Sequence, residues 1–260
     1  MITFGSLFSG IGGLDLGLEQ TGMKCVFQIE NDKNCLKILN KKWPDVPKNE
    51  IRPCMGLVGG DPCPIRSRAS AIHGTCHPDM AGYFLAMVAR LKPRWILREN
   101  VCSPDVMDFV AGTNRCGYFG CILEINSAAF TGQSRKREFV VAFNCPKTFD
   151  KFIMSCNDPE DDSGNCAALD KTSAKQVGPP LYCITSRSFR LDYSENYVYE
   201  GPKRGLRVLS HAERESLQGF PVGWTDLLSN TARERAIGNA VTVPVAKWIG
   251  EKIKMAVGHE

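Results

Sequence analysis

The chain has 260 residues, 43% of them hydrophobic and 23% charged, with a formal net charge of +4. That length buries a substantial core, that balance excludes a disordered chain, and no apolar run reaches the roughly 18 residues of a membrane span. Twelve cysteines are scattered without a C-x-x-C pair, and Cys116 and Cys121 lack a matching second pair, so no metal site is expected and free thiols in a reducing compartment are.

"ITFGSLF" (2–8) has the composition of a strand, and the glycine-broken "SGIGGLDLGLEQTG" follows it. The apolar start carries no basic leader, so it is read as folded protein rather than as a signal peptide. Leu14, Leu16 and Leu18 suit a helix stopped at Gly22. "KCVFQIE" (24–30) is a second strand, and Asn31 to Trp43 has helical spacing through Cys35, Ile38 and Leu39. "MGLVGG" (55–60) is a short buried strand, 79–92 a helix and "RWILREN" (94–100) another strand. This alternation predicts an α/β fold with a Rossmann-like, doubly wound and mostly parallel sheet, whose ligands bind at the carboxyl ends of the strands.

Residues 145–205 break the rhythm. "NDPEDDSGN" is an acidic, turn-rich loop, and "CITSRSFRLDYSENYVYEGPKRG" interleaves Arg187, Arg190, Tyr193, Tyr197 and Tyr199, a mixture suited to phosphates and bases. Ser210 and Glu213 have capping-box spacing and open a helix through Leu217. "IGNAV" (237–241) precedes a last helix with apolar Val245, Trp248, Ile249 and Ile253. Three segments follow: an α/β domain at 1–144, a smaller region at 145–205 outside that rhythm, and a C-terminal segment at 206–260 that returns to the first.

Gly10, Gly12 and Gly13 lie in the first strand-to-helix turn, where missing side chains let a ligand approach the backbone. Glu30 ends the next strand 20 residues after Gly10, suited to accept bonds from ribose hydroxyls. The pattern is G-x-G-G rather than the full dinucleotide fingerprint, which favours an adenosine cofactor without a pyrophosphate, such as S-adenosylmethionine. Pro62-Cys63 and Glu99-Asn100-Val101 end later strands and reach the same sheet edge. "GQSRKREF" (132–139), if extended, sets Gln133, Arg135 and Arg137 on one face. Singly, each has an ordinary explanation: a buried thiol, a solvated carboxylate, an edge strand guarded by arginines, a Gly-Asn turn. Their order on one scaffold is what needs explaining.

That order resembles the DNA (cytosine-5) methyltransferase family along nearly the whole chain. "FSGIGGLDLGLEQTG" is similar to the family's cofactor-binding opening and "IEN" to its ribose-binding motif. "GGDPCP" resembles the nucleophile motif, "ENV" the cytosine-contacting glutamate motif and "QSRKR" the Gln-x-Arg-x-Arg motif. "RVLSHAERESLQGFP" (207–221) resembles the motif that supports the recognition region, and "GNAV" the closing cofactor motif. The resemblance implies S-adenosylmethionine-dependent methylation of a flipped-out cytosine at C5 in double-stranded DNA at a short site, with S-adenosylhomocysteine as product. It also makes 1–144 the catalytic and cofactor-binding domain and 145–205 a small target recognition region.

Carried over residue by residue, the resemblance implies Cys63 as the nucleophile at cytosine C6, Glu99 at N3, Arg137 at O2, and Arg135 steadying loop and thiolate, although spacing does not separate the two arginines. Cofactor contacts are implied for Phe8, Ser9, Gly10, Ile11, Gly12, Gly13, Leu14, Glu30, Asn31, Glu50, Ile51, Asp61, Pro62, Asn239, Ala240 and Val241. DNA contacts are implied for Arg66, Ser67 and Arg68 in a closing loop, Gln133, Arg187 and Arg190. The expected molecule is a monomer in the cytoplasm of a bacterial or phage-infected cell, without membrane association, with a restriction endonuclease as a candidate partner. Pro64 departs from the family, which has glutamine or asparagine after the cysteine, and Glu50 stands where an aspartate meets the adenine. A tRNA-acting branch shares these motifs, as an inactive DNA-binding relative would, so the nucleic acid acted upon stays open at this level.

Overall fold

The structure, a computed structural model, describes residues 1–62, 80–156, 183–185, 196–200 and 202–258. Strand β1 (Thr3–Leu7) leads into helix α1 (Gly13–Glu19), β2 (Lys24–Ile29), α2 (Lys33–Lys42) and β3 (Gly56–Gly59). Helix α3 (Ala81–Leu91), β4 (Trp95–Asn100), α4 (Val106–Arg115), β5 (Phe119–Asn126), α5 (Ala128–Thr131), β6 (Lys136–Phe143) and α6 (Pro146–Cys156) follow. Beyond them come β7 (Tyr197–Tyr199), β8 (Leu206–Val208), α7 (His211–Leu217), α8 (Asn230–Asn239) and α9 (Val243–Val257).

Six strands form one sheet in the order β2-β1-β3-β4-β6-β5. The first four run parallel, as the alternating pattern predicts, whereas β6 is antiparallel to both β4 and β5. β1 and β3 are covered on both faces, which is why they read as continuous apolar and glycine runs rather than alternating ones. Gly56 is small because the Trp95 ring of the neighbouring strand occupies its place: an added Cβ would lie 2.1 Å from the indole.

One face packs Phe4, Leu14, Leu18 and Val58 against Phe152 of α6 and against Val245, Ile249 and Ile253 of α9. The other face packs Leu57 and Ile96 against Phe84 of α3 and Phe109 of α4. A third cluster joins Ile11, Ile38, Leu39 and Trp43 to Phe220, Trp224 and Ile237. The predicted capping box is present: Ser210 caps α7 while the Glu213 side chain accepts from the Ser210 backbone N–H. Among the described residues no helix is long and apolar enough to cross a membrane.

Beyond the boundary expected at residue 145, helix α6 packs on the first segment. Helix α6 continues the α/β rhythm, its Phe152 is fully buried in the main core, and Lys252 Nζ of α9 donates to the Ser155 carbonyl at 2.7 Å. The boundary expected at 205/206 falls inside the β7–β8 pair, which is antiparallel.

Candidate active site

The turn after β1 takes up left-handed backbone at Phe8, Gly10 and Gly12, with φ of 52°, 57° and 83°. Phe8 is the costly member, since a side chain disfavours that region. Long-range bonds hold the turn there. Ser9 N donates to Ile29 O at 3.2 Å, and the Trp224 indole donates to Ile11 O at 2.9 Å. Trp224 is itself wedged edge-on against Trp43.

Glu30 ties the turn to β2. One carboxylate oxygen accepts from Gly10 N at 2.7 Å, and the other accepts from the backbones of Asn31 and Asp32, each at 2.7 Å. Beneath the turn lies Asp15, fully buried, accepting from Ser6 Oγ at 2.9 Å and Gln28 Nε2 at 2.7 Å. Ser9 Oγ bonds to Ser6 Oγ at 2.9 Å and extends this chain to the surface of the turn. Burial lifts the Asp15 carboxyl from 3.8 to about 6, against the lowering effect of its hydrogen bonds.

Facing the turn are Asn239, the last residue of α8, and Ala240 and Val241, which lead towards α9. Together with Phe8, Ser9, Gly10, Gly13, Leu14, Gly60 and Glu99 they line one recess. Gly13 is required by the approach of the two walls, since a Cβ there would lie 2.4 Å from Val241 O. Eight residues named from sequence as cofactor contacts thus share one hollow. Ile11 and Gly12 instead face the third cluster, Gly12 against the Trp43 ring. Glu50 is exposed and pairs with Arg52 at 3.1 Å, Ile51 packs on the second sheet face, and Pro62 is exposed.

Asp61 does not face the recess openly. Its buried carboxylate is engaged by Arg98, with Nε–Oδ1 at 2.5 Å and Nη2–Oδ2 at 2.8 Å. The Arg98 guanidinium also lies over the Phe109 ring, 4.2 Å from its centroid. Asp61 therefore anchors the end of the turn that follows β3 to β4, the strand that carries Glu99.

Glu99 is buried and borders the recess, and Arg137 Nε stands 3.2 Å from its Oε1. Burial raises the Glu99 carboxyl above the usual range, while Arg137 and Arg135 pull it down. Arg135 and Gln133 point inward. Arg135 donates to the carbonyls of Ile184, Gly238 and Ala240 at 2.9, 3.1 and 3.0 Å. Gln133, expected to meet DNA, is fully buried instead: its amide donates to Leu217 O and Gln218 Oε1 and accepts from Ile184 N. Every polar end of that side chain is committed to the interior, which leaves it no surface to present.

Two contributors were not singled out from sequence. Trp224 fixes the glycine turn, and Gln218 joins Gln133 to the recess wall through Ile237 O and Ala240 O. Gln218 sits in the quoted "LQGFP", so its motif was visible although its partners were not. Cys63, Pro64, Arg66, Ser67, Arg68, Arg187 and Arg190 lie outside the described residues. Among the described residues no cluster of three metal-ligating side chains occurs.

A recess between a glycine turn with its carboxylate and a Gly-Asn-Ala-Val wall, next to a buried glutamate, fits a nucleoside-type cofactor held beside an acid–base group. A model of the C-5 cytosine-specific DNA methylase family matches residues 2–163 and 168–255. The chain is 28% identical over 303 residues to the Type II methyltransferase M2.BsuMI of Bacillus subtilis (strain 168), covering 97% of this chain and 75% of that protein. It is 26% identical over 304 residues to the Type II methyltransferase M.BsuFI of Bacillus subtilis, covering 97% and 72%. In fold it is similar to the Entamoeba histolytica methyltransferase EhMeth, with a TM-score of 0.69 at 15% identity over 100% of this chain and 98% of that one. It is likewise similar to the S. pombe Dnmt2 methyltransferase, with a TM-score of 0.67 at 16% identity over 100% and 99%. At such identities the two structures speak for fold alone.

Proposed function

The chain belongs to the C-5 cytosine-specific DNA methylase family, and from that membership we propose that it methylates cytosine C5 in duplex DNA through a covalent Cys63–C6 intermediate. The observation that carries this reading is the meeting of Glu99, held by Arg137, with the glycine turn and the Asn239–Val241 wall in one recess.

Phe8, Gly10, Glu30 and the Asn239–Val241 wall would hold S-adenosylmethionine, which supplies an electrophilic methyl group when bound. Gly13 keeps the walls close, and Glu30 orients the turn through Gly10 N. C5 of cytosine is a weak nucleophile, and addition of the Cys63 thiolate at C6 makes it an enamine-like carbon. Glu99 serves N3 as an acid, a role helped by the burial that favours its protonated form. Arg137 orients Glu99 and meets cytosine O2. Arg135 acts at one remove, by holding Gly238 and Ala240. After methyl transfer a base, water in this proposal, removes the C5 proton and Cys63 departs.

A stacked cytosine cannot reach such a recess, so the base is flipped out at a cost of about a few kcal/mol. Arg66, Ser67 and Arg68 contact the strand as the loop after Cys63 closes. Arg187 and Arg190, between α6 and β7, contact the DNA within a region that recognises a short site. The enzyme acts as a cytoplasmic monomer, with a restriction endonuclease as its candidate partner.

Purified protein with labelled cofactor should mark duplex DNA, and bisulfite sequencing of DNA from expressing cells should show one short methylated site. Label appearing only in tRNA would redirect the proposal to RNA. Duplex DNA carrying 5-fluorocytosine should trap wild type covalently and leave Cys63→Ser free. A wild type that forms no adduct on any DNA sinks the nucleophile assignment.

A further inference from the structure

The last carbonyls of an α-helix have no partner within the helix and must find one elsewhere. At the end of α8 the carbonyls of Ile237, Gly238 and Ala240 are met by two side chains from distant parts of the chain. Arg135 takes Gly238 and Ala240, while Gln218 Nε2 donates to Ile237 O at 2.9 Å and to Ala240 O at 3.4 Å. We propose that Gln218 is a positioning residue for the cofactor, setting the recess wall at Asn239–Val241 together with Arg135, with which it shares the Ala240 carbonyl. The inference rests on the assignment of the recess to S-adenosylmethionine.

The fit of the side chain to this task is specific. A primary amide has two N–H donors and an oxygen with two acceptor sites. Gln218 is fully buried, and all four capacities are used: the two donors as above, and Oε1 accepting from Gln133 Nε2 at 3.0 Å and Thr242 Oγ1 at 2.8 Å. Its backbone carbonyl accepts from Val243 N at 2.9 Å, so both ends of the turn into α9 are pinned to one residue. A carboxylate of the same shape would face two carbonyl oxygens with no proton to offer. An apolar side chain of the same length would leave Ile237 O without this donor. In either case the wall loses its register against Gly13, where Val241 O already stands 2.4 Å from the position of a Cβ.

Gln218→Glu and Gln218→Met test the proposal, with Arg233→Ala as a control. Arg233 of α8 pairs with Glu215 of α7 and with Asp226 and does not line the recess. S-adenosylhomocysteine binding is measured by calorimetry beside thermal unfolding. Both Gln218 variants should weaken binding by about tenfold or more, whereas Arg233→Ala should lower the unfolding temperature and leave binding within about twofold of wild type. If neither Gln218 variant folds, Thr242→Val, which deletes one of the four bonds at similar volume, is judged by the same criterion. Folded variants that bind as wild type does, with only their unfolding temperature reduced, make Gln218 plain scaffold and overturn the proposal. A wild type that does not bind S-adenosylhomocysteine overturns the cofactor assignment itself, a separate result read before any variant is made.

Discussion

Arg137 Nε stands 3.2 Å from Glu99 Oε1 across the β4–β6 pair, at the mouth of the recess. The contact opposes the burial that raises the Glu99 carboxyl. The acid form therefore persists to higher pH than for a solvated glutamate, and its contribution falls as pH rises through its pKa. Glu99→Gln keeps a hydrogen-bond donor and loses the transferable proton. Methyl transfer should drop by about 10²- to 10⁴-fold, with S-adenosylhomocysteine binding retained and this limb of the kcat/KM profile against pH removed. Loss of cofactor binding in step with activity would assign Glu99 to the cofactor instead.

Asp15 carries the opposite sign from most carboxylates in stability. Its folded pKa of about 6 lies above the ordinary 3.8, so its contribution to stability is full below about pH 4 and is lost as pH rises through 6. Asp15→Asn escapes that loss. Between pH 4.5 and 7.5 the variant should gain about 2 kcal/mol on wild type in urea unfolding. Parallel pH curves for the two proteins would show that Asp15 does not titrate there.

Asp61 and Arg98 form a buried, two-pronged pair. Arg98→Met leaves a buried carboxylate without its cation and should cost about 3–5 kcal/mol in denaturant unfolding. Adding Asp61→Leu removes the stranded charge and should recover most of that loss. A double variant no more stable than Arg98→Met would show that shape, not charge, dominates the contact.

Gly13→Ala drives a Cβ against Val241 O, whereas Gly117, at φ 85°, has open space around its missing side chain. Gly117→Ala should therefore cost only about 1 kcal/mol of backbone strain and leave cofactor affinity unchanged. Gly13→Ala should weaken S-adenosylhomocysteine binding by more than about tenfold as well as lowering stability. Equal effects of the two substitutions on affinity would remove the wall-to-wall contact as the cause.

What could be read from the chain alone was local or periodic. The Ser210–Glu213 box closes within one helical turn, and the glycine turn with Glu30 follows from strand-helix-strand order. The inward course of Gln133 could not be read, because its partners Leu217, Gln218 and Ile184 are remote in sequence. Alternation set Gln133, Arg135 and Arg137 on one face but left open whether that face is wet. Helix α6 was hidden by the polar stretch beyond it, although Phe149, Phe152 and Ile153 pack on the core. Reversal of β6 is likewise a property of strand order, which no spacing encodes.

The bond from Trp224 to Ile11 joins residues 213 positions apart. At about 5–20 residues per second on the ribosome, the glycine turn waits roughly 10–40 s for the indole that holds it. Contacts of such long range slow folding. The cofactor turn is thus completed only after Trp224 has been made, and a nascent chain stalled before that residue lacks the brace for it.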